Sequence, residues 1–279
     1  MWERIKGKLS RGKITVKIII IQAVIFLVLN LFSVLFSSHI IDFQLINYFQ
    51  FPTELSEFLF QPWSIFSSIV SHLTLDHFFF NMLFFFFSGM MFEELFGDRK
   101  LISLFILGGL VGNLAELLAT SLFPYLAPPH FVIGASGSIM AIFTAIVFYR
   151  PQTPVYLFGM VPIPIYFLAL FFFAKDLIGI GSDDNTAHFA HLGGALMGFV
   201  AQLNPHNKNN ILNILSNFLY FKSKKNSVRN KRFKSDEEFN AEKIINQDRI
   251  DGILDKISKS GYESLSREEK EFLFKQGKK

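Results

Sequence analysis

The chain has 279 residues, is 51% hydrophobic with 36 phenylalanines, and carries a net charge of +4. So many phenylalanines, with the excess confined to the first two hundred residues, argue against a soluble domain, and apolar runs of about twenty residues match a bilayer core of about 30 Å. There is no cysteine, which excludes disulfides, a thiolate zinc site and a cysteine nucleophile. The positive excess lies at the N-terminus and in the tail, which fits membrane topology and not nucleic-acid binding.

Arg4, Lys6, Lys8, Arg11, Lys13 and Lys17 precede or enter an apolar run from Ile14 to Phe36. The run is too long for the core of a signal peptide, and Phe36-Ser37-Ser38-His39 is a poor cleavage site, so it reads as an uncleaved spanning helix. Five further spans follow at Leu75–Phe96, Leu101–Leu122, Ser136–Phe148, Val155–Ile178 and His188–Leu203. The fourth and sixth spans are short, which predicts helices that begin below the membrane surface beside buried or wet irregular backbone. The connection Ser37–Trp63 is long and aromatic and suits a structured segment in the interfacial belt.

Short basic connections at Gly97-Asp98-Arg99-Lys100 and Tyr149-Arg150 alternate with long ones, Ser37–Trp63 and Phe123–Ile133, that lack Lys and Arg. By the positive-inside rule both termini are expected in the cytoplasm and the starts of the fourth and sixth spans on the external side. Lys175 opposes this pattern; it can snorkel, or pair with Asp176, Asp183 or Asp184. This gives a basic N-terminus (1–13), a membrane domain (14–204), an interfacial helix and polar linker (205–247), and a small helical hairpin (248–279). The interfacial helix begins near Ile211 and leads into Lys222, Lys224 and Lys225. In the hairpin, Ile250, Ile253, Leu254 and Ile257 repeat at helical spacing, Gly261 is a stop, and Ser266 with Glu269 forms a capping box.

Polar residues within the apolar spans carry the chemistry, because they are costly there without partners. Gly134-Ala135-Ser136-Gly137 opens the fourth span. Its serine is either a helix cap or a nucleophile beside free helix-start amides that stabilise an oxyanion. His191 in the sixth span has Gly194 and Gly198 at i+3 and i+7, and Gly137, Ala141 and Ala145 form a matching stripe on the fourth. Small-residue faces of this kind let helices approach closely, and a hydroxyl with an imidazole is the minimal nucleophile and base. His77 and Asn81 share a face of the second span, as polar glue or as oxyanion donors; His72 precedes them. Glu93 beside Glu94 reads as a structural acid accepting backbone hydrogen bonds, and Asn113 and Glu116 read the same way. Glu116 as a third member behind His191 stays open.

These residues resemble the rhomboid family of intramembrane serine proteases. The resemblance runs from about Pro62 to Phe199 and rests on His77-Phe78-Phe79-Phe80-Asn81, Glu93 with Gly97, Gly134-Ala135-Ser136-Gly137, and Ala190-His191-Leu192-Gly193-Gly194 with Gly198. It implies an all-α six-transmembrane-helix bundle with a wet cavity open to the external side. It implies Ser136 as nucleophile and His191 as general base with no aspartate, and His77, Asn81 and backbone amides as the oxyanion hole. It also implies transmembrane protein substrates within a lipid bilayer, no cofactor, and a bacterial inner membrane. The Trp-Arg pair that many members carry in the first external connection is absent, although Trp63 is present. The tail 248–279 looks like one appended to some bacterial rhomboids.

Two other readings remain. A non-catalytic rhomboid-like chaperone or adaptor typically lacks the serine or the histidine. A metal enzyme or transporter would use His72, His77, His188 and His191, but the sequence offers no H-E-x-x-H and no carboxylate at a paired ligand spacing. No metal and no nucleic acid are expected as partners.

Overall fold

A computed structural model describes residues 13–157, 160–182, 186–205, 207–220, 250–261, 264–266 and 268–270. The basic residues Arg4, Lys6, Lys8 and Arg11 and the polar linker from Lys222 to Asn240 lie outside the described residues.

Helix α1 (Ile14–Ser37) is apolar around its whole circumference and buries only the stripe Thr15, Gln22, Phe26 and Leu29. Its other faces are exposed at Ile21, Val24, Leu27, Leu31 and Val34, as expected for a helix with lipid on most sides. Residues Leu45–Tyr48 form a 3₁₀ turn, followed by strand β1 (Phe51–Pro52), helix α2 (Leu55–Phe58), helix α3 (Ser64–Ser67) and a second 3₁₀ turn at Ser68–Val70. The aromatic connection is therefore structured. The indole N–H of Trp63 donates to the Tyr48 carbonyl at 2.9 Å. Phe51 is fully buried.

Helices α4 (Leu75–Phe96) and α5 (Asp98–Leu122) are joined by Gly97 alone. Gly97 has φ 86° and donates its N–H to the Glu93 carbonyl, a positive-φ break between the two helices that glycine adopts without a side-chain penalty. Strand β2 (Phe131–Val132) pairs antiparallel with β1, and α6 (Ser136–Tyr149) then enters the centre of the bundle. Ten of its residues, from Gly137 to Val147, are buried. At about 1.5 Å per residue its 14 residues span about 21 Å, less than the bilayer core.

The fifth span departs from expectation. Residues from Val155 do not begin a helix: β3 (Pro154–Leu157) and β4 (Val161–Pro164) form an antiparallel hairpin, and helix α7 runs only over Ile165–Gly179. Pro154, Pro162 and Pro164 explain this, since each lacks a donor and restricts the residue before it. Helix α8 (His188–Gln202) follows, and Asn204, at φ 58°, marks the turn beyond it. Helix α9 (Ile211–Tyr220) is the expected amphipathic segment. Asn210 caps it by accepting from Leu212 N–H, and anchors it by donating to the carbonyls of Ala201 and Leu203.

Helices α1, α4 and α5 are long and apolar enough to cross a membrane; α6, α7 and α8, with 14, 15 and 15 residues, are shorter. The molecule is thus a mostly helical membrane protein to which, among the described residues, two small two-stranded sheets are added.

Residues 223–279 form a separate unit. In it, residues 250–260 are helical, and Gly261, at φ 76°, ends the turn with its N–H on the Ile257 carbonyl. The capping box is formed reciprocally: Ser266 N–H donates to Glu269 at 2.7 Å and Glu269 N–H to Ser266 Oγ at 3.2 Å.

Candidate active site

Ser136 is the first residue of α6, half-buried, and no side chain caps that helix start. The first amides of a helix have no partner within it, so those of Ser136 and Gly137 point out of its N-terminus. Ser138 is spent on structure, donating its hydroxyl to the Phe105 carbonyl on α5 at 2.6 Å. The approach to Ser136 is fixed by Gly134, at φ 135°, whose N–H donates to the Ser68 carbonyl at 2.9 Å. A Cβ at Gly134 would lie 2.7 Å from His77 Cε1. The His77 ring therefore rests on the backbone two residues before Ser136.

His191 lies in the first turn of α8, and α8 meets α6 backbone to backbone. A Cβ at Gly194 would run into the Gly137 carbonyl, and one at Gly198 into that of Ala141. Helix α5 closes the third side: a Cβ at Gly112 would stand 2.7 Å from the Ala190 carbonyl. The glycine face read from the sequence is thus a contact between α8 and α6, beside Ser136 and His191. Among the described residues no hydrogen bond joins the two side chains; catalytic hydrogen bonds are often long before substrate binds.

Asn81 is buried and donates to the His77 carbonyl at 2.9 Å, which leaves its second N–H. His72 packs edge-on to His77, with ring centroids 5.2 Å apart. Burial, with His77 alongside, pushes the His72 pKa down from 6.5 to about 3, so the ring is neutral at physiological pH. Its Nε2 accepts the Ala135 N–H at 3.4 Å, bracing the turn before Ser136. Asn113 braces the same region from α5, donating to the Ile65 carbonyl and Ser68 Oγ.

The acids divide by function. Glu93 accepts from the N–H groups of Ile14 and Thr15, at 2.9 and 3.0 Å, and from the Thr15 hydroxyl at 2.7 Å. It caps α1 and is remote from Ser136 in role. Glu116 accepts the Ala190 N–H at 2.8 Å and so caps the start of α8; it does not stand behind His191. Asp176 does. Its Oδ1 accepts from Nδ1–H of His191 at 2.8 Å and of His188 at 3.0 Å. The resemblance implied no aspartate, and the sequence reading offered Asp176 only as a partner for Lys175. The signal was there: a carboxylate in an apolar helix is costly without a partner. Asp176 also supplies the carboxylate that no sequence spacing revealed for a metal site, since one ligand atom from each of Asp176, His188 and His191 lies within 4.8 Å of the others. A cavity of about 220 Å³, lined by Glu116, His130, Ser182, Thr186 and His188 among others, adjoins this cluster.

The chain belongs to the rhomboid family: the rhomboid domain matches residues 59–206. Residues 234–279 match a family of unknown function, DUF6576. The chain is similar to RHOMBOID-like protein 12, mitochondrial, from Arabidopsis thaliana, with 29% identity over 150 residues, covering 50% of this chain and 45% of that protein. The chain thus spans under half the length of that relative. The relative is described as mitochondrial and lends no support to a bacterial inner membrane.

Proposed function

We propose that the protein is an intramembrane serine endopeptidase that cleaves membrane-anchored proteins within or near their transmembrane segments. The observation that carries this reading is the backbone contact of α6 with α8 at Gly137 and Gly194, with Ser136 at the head of one helix and His191 in the first turn of the other. In this reading His191 Nε2 takes the Ser136 proton as Oγ bonds to the scissile carbonyl carbon. The oxyanion is held by His77, the second N–H of Asn81 and the helix-start amides; one such donor is worth about 3 kcal/mol. Collapse breaks the C–N bond, and His191 returns the proton to the leaving amine. Water, activated by His191, then hydrolyses the acyl-enzyme. Hydrolysis requires water at the site, and a substrate helix must unwind there because a hydrogen-bonded helix hides its carbonyls.

The basic connections favour an orientation. The Phe96 and Tyr149 rings touch at 4.7 Å and Lys100 Nζ lies 3.4 Å from the Pro205 carbonyl, so Arg99, Lys100 and Arg150 share one end of the bundle with the end of α8. We assign that end to the cytoplasm, with the site opening on the other side.

Fluorophosphonate labelling in detergent tests the reading. Wild type is expected to be labelled and to cut a model transmembrane substrate; Ser136→Ala is expected to lose labelling, and cleavage by on the order of 10⁴-fold or more. An unlabelled, inactive wild type would overturn the protease reading in favour of a non-catalytic rhomboid-like adaptor.

A further inference from the structure

We propose that Asp176 is a positioning residue for His191, held in place by His188, so that the site works as a buried Asp176–His191–Ser136 relay. This rests on the serine-protease reading above. Helix α7 buries only two residues, Ile165 and Asp176, and a carboxylate inside an apolar helix needs compensation. It receives it from two imidazoles one turn apart on α8, both donating to the same oxygen. The two rings are not equivalent. The His188 side chain is 5% exposed and that of His191 16%, so more of the His191 ring is left open. His188 is wedged against the end of α7, where a Cβ on Gly179 would collide with its ring. It therefore holds the carboxylate from one side while His191 uses it from the other.

The consequence is chemical. A carboxylate accepting Nδ1–H fixes the neutral tautomer in which Nε2 carries the lone pair. When Ser136 gives its proton to Nε2, the Nδ1 proton stays on His191, and the buried carboxylate stabilises the imidazolium without being protonated itself. The positive charge exists only until the leaving amine takes the proton back. The interaction is therefore stronger in the transition state than in the ground state and should appear in kcat more than in KM.

The test uses the full chain in detergent or liposomes, with a model transmembrane substrate and a fluorophosphonate probe. Asp176→Asn keeps size and polarity but presents an N–H that favours the wrong tautomer. We expect kcat and labelling rate to fall on the order of 10²–10⁴-fold, with KM close to wild type and a fall in thermal midpoint too small to account for the lost rate. Asp176→Glu should recover part of the rate. His188→Asn, which keeps a donor near the Nδ1 position, should lose less than His188→Ala. The inference is overturned if Asp176→Asn keeps wild-type kcat, or if its loss resides wholly in KM and thermal stability, the mark of a merely structural tie. It is also overturned if wild type binds one equivalent of Zn²⁺ on which activity depends and which Asp176→Asn releases. If wild type cuts in a Ser136-dependent way while Asp176→Asn is unimpaired, only this inference falls; if wild type neither labels nor cuts, both fall.

Discussion

Helices α7 and α8 are equally short, at 15 residues each, and are built on opposite principles. Helix α8 buries seven residues, three of them glycines, and meets α6 and α5 through main chain. Helix α7 buries two residues and exposes Phe167, Leu170, Phe171, Phe173, Leu177 and Ile178. Within a membrane, exposing such side chains costs nothing, because lipid is as apolar as leucine; close packing and polar ties hold helices together. Helix α7 is tied through Asp176, and the outer helix α1 resembles it, mostly exposed and tied through Glu93. The inner helices are fixed by absent side chains and the outer ones by single carboxylates.

Three substitutions break or sharpen that contrast. Gly194→Ala should have the largest effect, because its Cβ meets the Gly137 carbonyl and the backbone must separate. Overpacking of this kind costs about 1–3 kcal/mol, and cleavage should fall further than stability because Ser136 adjoins the contact. Equal thermal midpoints and cleavage rates in mutant and wild type would show that the seam is not tight. Glu93→Gln comes next. It removes the charge from three hydrogen bonds to Ile14 and Thr15 and should cost about 1–2 kcal/mol, read as a lower thermal midpoint with cleavage chemistry preserved. No shift in the midpoint would mean that α1 is held by its apolar stripe alone. Smallest is Leu170→Ala on α7, where a side chain 61% exposed should change stability by less than about 0.5 kcal/mol. A loss as large as that of Gly194→Ala would erase the distinction between the two helices.

The contrast also explains what was legible. The glycine and alanine spacings on α6 and α8 are local periodicities, and a helix turns every such spacing into a face. Close approach of those faces could therefore be anticipated, as could the reciprocal Ser266–Glu269 cap, where both partners lie within one turn. The start of α7 was misread because hydropathy outweighed the three prolines, which turn Pro154–Pro164 into a hairpin. The acids were legible in part. Glu93 and Glu116 read as acceptors of backbone hydrogen bonds, and each is one, but nothing local distinguishes such a carboxylate from Asp176, which holds two rings.

The amino-acid sequence by itself determined that this is a helical membrane protein with a serine and a histidine on small-residue helix faces, because composition and period are properties of the chain. Only the tertiary structure decided which acid meets which partner. Asp176 reaches His191 across the connection between α7 and α8, while Glu116, on α5, reaches the Ala190 amide. Those pairings depend on how far each helix slides and turns against its neighbours, which packing sets and residue spacing does not.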